Sequence, residues 1–236
     1  TWGKPCFVAW TTTPWTLPSN VALCVGPKIE YVIVETYNPY DAEKLTLVMA
    51  ASRVAAYLKS EGEITDGGEL PEYERGDKYV PYRIVGRVMG TELEGLHYQQ
   101  LMPWIKPVEQ TGDFAPKFVN DYAAAHPEKV FASEDGRDKF VEMESEAFRI
   151  ILGDYVTTDD GTGIVHIAPT FGADDAKVAK DANIPALYLI SKKGQTRPMV
   201  DLQGKYYTIE ELDQNFVKAC VDEKAYGHHA GIFASF

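Results

Sequence analysis

Short apolar runs closed by turn formers dominate the first third of the chain. Residues 6–10, 21–25, 31–34 and 45–49 are rich in β-branched, aromatic or aliphatic side chains. Pro14, Pro18-Ser19-Asn20, Gly26-Pro27 and Asn38-Pro39 separate them, and this alternation predicts strands. Residues 50–59 predict a short helix, 61–78 a Gly- and Glu-rich surface loop, and 82–88, 148–152, 164–167 and 186–190 further strands. Two helices have clearer signals. Residues 172–182 follow a Pro-Thr-Phe-Gly turn and carry Asp174 and Asp175 at their start. Ile209, Leu212, Phe216, Cys220 and Val221 recur at helical spacing, with Thr208 and Glu211 forming a capping box in front. Strands outnumber helices and lack regular crossovers. The expectation is therefore an α+β fold with a mainly antiparallel, β-barrel-like core and peripheral helices, in one domain over residues 1–236.

Composition narrows the function classes. With 236 residues, 45% of them hydrophobic, the chain can bury a real core, which excludes disorder and a disulfide scaffold. No apolar run approaches the roughly 20 residues a bilayer span needs, so no membrane partner is expected. Three widely spaced cysteines, Cys6, Cys24 and Cys220, suit a reduced, cytoplasmic setting. Cys220 falls on the predicted apolar helix face and is expected in the core, not as a nucleophile. The net charge of −12 argues against broad nucleic-acid binding. That acidity is uneven: residues 121–160 hold eleven Asp/Glu against four Lys/Arg, so the remaining surface has room for a local basic site.

Two segments have the make-up of a binding site. Trp10-Thr11-Thr12-Thr13-Pro14-Trp15-Thr16-Leu17-Pro18-Ser19-Asn20 ends a strand in three threonines and a proline-stiffened loop. Such a loop presents hydroxyls and amides to a polar ligand or a water; equally, threonine is common in ordinary strand-end turns. Gly161-Thr162-Gly163-Ile164-Val165-His166-Ile167-Ala168-Pro169 joins a flexible start to a strand with one histidine, and the paired acids follow. It is not a phosphate loop. His166 suits a pocket wall or a satisfied core position, and an acid at a helix start is also explained by the macrodipole. The five histidines have no Cys or carboxylate partner at ligand spacing, and neither a metal nor a cofactor is expected.

Together the segments resemble the editing domain of isoleucyl-tRNA synthetases. Residues 10–20 are similar to its threonine-rich loop, and 161–175 to its second signature, G-T-G-x-V-H-x-A-P followed by G-x-D-D. Valyl and leucyl relatives differ at both places. Weaker similarity runs through residues 21–34, Gly95-Leu96-His97-Tyr98 and Gly153-Asp154-Tyr155-Val156. Thr170-Phe171 departs from the commoner small residue and histidine, which bears on lineage and pocket lining. The synthetic domain's H-I-G-H and K-M-S-K-S motifs have no counterpart; Tyr226-Gly227-His228-His229 and Ser191-Lys192-Lys193-Gly194 are not substitutes. The chain also begins at Thr1 without methionine, and the expectation is an editing domain excised from a larger synthetase.

The resemblance implies hydrolytic proofreading of valyl-tRNA(Ile), with valyl-adenylate as a second substrate. It implies Thr12, Thr13, His166 and Asp175 as catalytic residues. Asp175 would hold the substrate's α-ammonium, the threonines the ester and water, and His166 would form the size gate. Thr11, Trp15, Asn20, Gly163 and Ile164 would line the substrate site. The implied partners are the 3′-terminal adenosine of tRNA(Ile) bearing valine and the remainder of the parent synthetase. Two other readings stay open: a non-catalytic module that positions the tRNA 3′ end, and a cysteine hydrolase using Cys220.

Overall fold

The computed structural model describes residues 2–233. Strand β1 (Pro5–Phe7) and a 3-10 turn, Pro14–Ser19, precede β2 (Ala22–Val25), β3 (Glu30–Tyr37) and β4 (Lys44–Ala50). After a 3-10 turn, Ala51–Arg53, come α1 (Val54–Tyr57), β5 (Arg83–Met89) and α2 (Gly90–Leu93). Then follow β6 (Val108–Gln110), α3 (Lys117–Ala125), β7 (Val130–Ala132), β8 (Lys139–Glu142), β9 (Arg149–Leu152) and β10 (Ile164–Ile167). Helix α4 (Ala173–Asp181), β11 (Leu189–Ile190), β12 (Thr196–Arg197), α5 (Gln214–Cys220) and α6 (Glu223–Gly227) complete the chain. No helix among the described residues is long and apolar enough to cross a membrane.

The described residues divide into two compact units, one of 2–11, 24–96 and 150–165, the other of 12–23, 97–149 and 166–233. The first is organised by the sheet β1-β4-β3-β5, antiparallel except where β1 runs parallel to β4. Val32, Val34, Met49, Val54 and Tyr82 form its buried cluster. Each such aliphatic side chain contributes about 1.5–3 kcal/mol over exposure. Residues 50–59 form the expected short helix over a narrower range, 51–57. Ala50 pairs with Tyr31 as the last residue of β4, and its N–H donates to the Thr162 carbonyl. Sheet pairing wins over local helix propensity, leaving a 3-10 turn and one α-turn that ends where Leu58 becomes extended.

The second unit contains the antiparallel sheet β6-β8-β7, in which Phe131 faces Phe140. Val119 of α3 packs with Val141 and Met143 over it. The predicted capping box exists, but it closes a separate 3-10 turn, Ile209–Glu211, where the Thr208 N–H donates to Glu211. Leu212 is extended, and α5 starts anew from Asp213, whose carboxylate accepts from the Asn215 and Phe216 amides. Likewise, of residues 186–190 only Leu189–Ile190 is strand.

The barrel-like core is not present among the described residues. The strands sort into four open sheets, β1-β4-β3-β5, β10-β2-β9, β6-β8-β7 and β11-β12. Closure needs one continuous, staggered ladder of tilted strands. Most strands here are two to four residues long and partner within their own small sheet. The fold is mixed α and β without a closed barrel.

Candidate functional site

The threonine-rich segment turns because Pro14 pre-sets the first helical position of a 3-10 turn. Within it the Thr16 N–H donates to the Thr13 carbonyl and the Asn20 N–H to Leu17. The turn tucks Thr16 inward, where it is buried, while Trp15 stays half exposed. Immediately after the loop, the Val21 N–H donates to the Ile167 carbonyl at 3.0 Å, which fixes the end of β10 beside the loop's exit. His166, on β10, thereby meets Thr16, with Nε2 and Oγ1 3.1 Å apart.

This network assigns the histidine's tautomer. Thr16 has one hydroxyl proton, which it donates to the Thr13 carbonyl at 2.8 Å. It must therefore accept from His166, so Nε2 carries the hydrogen and Nδ1 is the unprotonated nitrogen. Nδ1 is buried and has no hydrogen-bond partner among the described residues. Burial lowers the pKa of the imidazole, opposed by the nearby Asp175 carboxylate, and the ring is neutral at physiological pH. One nitrogen is thus committed and the other enclosed.

Past β10, a turn over Ala168–Phe171 leads into α4, and the Phe171 N–H donates to the Ala168 carbonyl. Gly172 caps the helix in an extended conformation, placing Asp174 and Asp175 in the first turn. Their environments differ. Asp174 is exposed, whereas Asp175 is partly covered and its Oδ2 accepts from the Ala168 N–H at 2.9 Å. Asp175 therefore joins the end of β10 to the start of α4. A cavity of about 370 Å³ lies between loop, strand and helix, walled by Thr13, Trp15, Thr16, His166 and the stretch from Phe171 to Asp175. Its size suits a small ligand, and two carboxylates, one neutral imidazole and two threonine hydroxyls line it.

The structure brings Thr13, Trp15, His166 and Asp175 together around this cavity. Thr12 is exposed and does not line it. Asn20 is buried and bonded at both ends: its amide donates to the Ala22 carbonyl and its oxygen accepts from the Tyr98 hydroxyl at 2.6 Å. That residue holds the loop's exit. Thr11, Gly163 and Ile164 belong to the other unit. There the Gly163 carbonyl accepts from the Tyr31 hydroxyl at 2.7 Å, and Ile164 is core. Gly163 has φ of +75°, and a Cβ on it would lie 2.6 Å from that of Ala50, so both backbone and space demand glycine. Phe171 lines the cavity, at the position whose departure from the commoner histidine bore on pocket lining, whereas Thr16 carried no separate sequence signal. The i, i+3 spacing of Thr13 and Thr16 around Pro14 is the one clue to Thr16.

No protein-family model matches the chain. Over 230 residues, 98% of its length, it is 52% identical to the isoleucine–tRNA ligase of Bacteroides thetaiotaomicron, and over 232 residues it is 47% identical to that of Bacteroides fragilis. The chain belongs to the isoleucine–tRNA ligase family. It spans 17% of the length of each of these relatives. A more distant ligase, from Thermoplasma acidophilum, is 32% identical over 201 residues. Among solved structures, the editing domain of the P. falciparum cytosolic leucyl-tRNA synthetase aligns over 82% of this chain and 57% of its own, at 10% identity and a TM-score of 0.43, too low to assign a fold. In this ligase segment the Asp175 carboxylate and the His166 ring face one cavity.

Proposed function

We propose that this segment is a proofreading site that hydrolyses the valyl ester on the 3′-terminal adenosine of tRNA(Ile), with valyl-adenylate as a second substrate. The supporting observation is the convergence of Thr13, Thr16, His166 and Asp175 on one cavity. Asp175 would receive the substrate's α-ammonium. Its Oδ2 is steadied by the Ala168 amide, and a carboxylate has lone pairs left for a charge-assisted bond. Thr13 would orient the ester or the attacking water. With Nε2 on Thr16 and Nδ1 enclosed, His166 serves as a wall that meets isoleucine's additional methylene, not as a general base. One methylene is worth about 1–3 kcal/mol in a hydrophobic pocket, a figure known from isoleucine–tRNA ligases themselves, which is why a second, smaller site adds accuracy. Orientation in a shaped cavity suffices for an activated ester.

The test is deacylation of valyl-tRNA(Ile) by this chain and by Asp175→Ala, each also placed in the full-length ligase that delivers the tRNA end. The expected result is valyl-ester hydrolysis that the substitution abolishes or redirects. Absence of hydrolysis in the full-length ligase would leave the non-catalytic positioning module. The cysteine-hydrolase reading is disfavoured by Cys220, which is buried and whose thiol is pushed up to about 12, mainly by that burial. Thiol alkylation should leave hydrolysis intact.

A further inference from the structure

A second cavity, of about 480 Å³, lies between the β11–β12 hairpin and the 3-10 turn Ile209–Glu211. Its wall carries Lys192, Lys193, Arg197 and Tyr207, opposed by Glu210 and Glu211. In a chain of net charge −12, three cations on one concave surface require a reason. Among the described residues none of the three forms a salt bridge.

The surface is built, not incidental. Gly194, with φ of +72°, closes the hairpin turn through its N–H to the Ser191 carbonyl. The Ser191 N–H in turn donates to Gln195, and both lysines are held at the tip, exposed. The Lys192 N–H donates to the Glu211 carbonyl, tying the hairpin to the opposite wall. Arg197 donates Nη2 to Gln195 at 2.9 Å and lies over the Tyr207 ring at 5.9 Å, which orients its planar fork. Glu210 and Glu211 oppose the cations, Glu211 through a carboxylate whose Oε2 also accepts from the Thr208 N–H and hydroxyl, so three cations face two acids.

We propose that this cavity binds the phosphodiester backbone of a single-stranded RNA end. The lysines supply point charges for phosphates, Arg197 a bidentate fork, and the Arg197–Tyr207 pair a planar surface beside them for a base. An acidic peptide would use the charges but not the plane. The proposal rests on the reading of the chain as acting on an RNA-borne ester, and it assigns to a separate surface the task of holding the strand.

The experiment is fluorescence anisotropy of a labelled short single-stranded RNA with this chain across a salt series, repeated for Lys192→Ala/Lys193→Ala, Lys192→Arg/Lys193→Arg and Arg197→Lys. Three phosphate contacts predict a slope of log affinity against log salt near about −2, flattened by roughly 0.7 for each cation removed. The arginine pair should restore the slope, and Arg197→Lys should weaken binding while keeping it. Unchanged slope in the alanine pair, or polyglutamate competing as well as RNA at equal charge, would overturn the proposal. A valyl ester of adenosine, lacking upstream phosphates, reads the first cavity alone. Its hydrolysis should be unchanged in all three variants. Intact hydrolysis without salt-dependent RNA binding overturns the patch, whereas RNA binding without hydrolysis overturns the ester site.

Discussion

Glu109 offers a quantitative test of how the second unit is held together. It lies on β6, opposite Val141, and its Oε1 accepts from the Ala186 N–H at 2.7 Å. Burial raises the carboxyl's pKa from 4.5 to about 7, against the stabilising pull of that amide. The folded protein therefore keeps a proton that the unfolded chain releases. Stability from this group is complete below pH 4.5 and falls as pH rises through about 7. At about 1.36 kcal/mol per pH unit the whole difference is roughly 3 kcal/mol. Because the carboxyl borders an open cavity of about 300 Å³ shared with Tyr188, solvent relaxation trims it. An expected cost of about 1–3 kcal/mol follows. Glu109→Gln retains an acceptor for Ala186 and cannot ionise. Urea unfolding of both proteins should give nearly equal stabilities at about pH 4, and a glutamine advantage that grows to that range by about pH 8. An advantage independent of pH would refute ionisation as its cause. A glutamine that is less stable at high pH would mean that the carboxylate is charged and well solvated.

Other substitutions probe the framework and the gate. Gly163→Ala places a Cβ against Ala50 at a φ of +75° and should cost about 1–3 kcal/mol by thermal melting; a neutral result would contradict the packing described there. Asp213→Ala removes the α5 cap and strands the Glu134 amide, which donates to Oδ2 at 2.6 Å, so denaturant unfolding should show a loss of about 1–3 kcal/mol. Thr16→Val removes the hydroxyl that orients His166. Valyl-ester hydrolysis should become less selective against isoleucine while the fold persists, and unaltered selectivity would place the gate elsewhere.

The legible parts of the fold were those whose signal is local. Residues 31–34 and 45–49 are β-branched or aliphatic and became the paired β3 and β4. Asp174 and Asp175 marked the start of α4 because charge at a helix terminus is a short-range effect. The rest depends on partners distant in sequence. Residues 139–142 begin with an exposed lysine and end with a glutamate, so the strand built on Phe140 and Val141 hides inside an acidic stretch. Helix α3 starts after Pro116 without a side-chain cap and gave no start signal. The barrel expectation found eight strand segments, missed β6, β7, β8 and β12, and had no means of knowing which edges would pair. In the site, Thr13, His166 and Asp175 were visible as a pattern of residue types. Thr16 and Asn20 were not separable in role, because a hydroxyl that orients a histidine and an amide that locks a loop look alike until their partners are in place.

The most direct measurement is single-turnover deacylation of valyl-tRNA(Ile) and isoleucyl-tRNA(Ile) side by side, using the full-length ligase with this segment intact and with His166→Ala. The account predicts rapid loss of the valyl ester alone from the intact protein, and entry of the isoleucyl ester once the ring is removed. Equal rates for both esters in the intact ligase, or selectivity that survives His166→Ala unchanged, would contradict it.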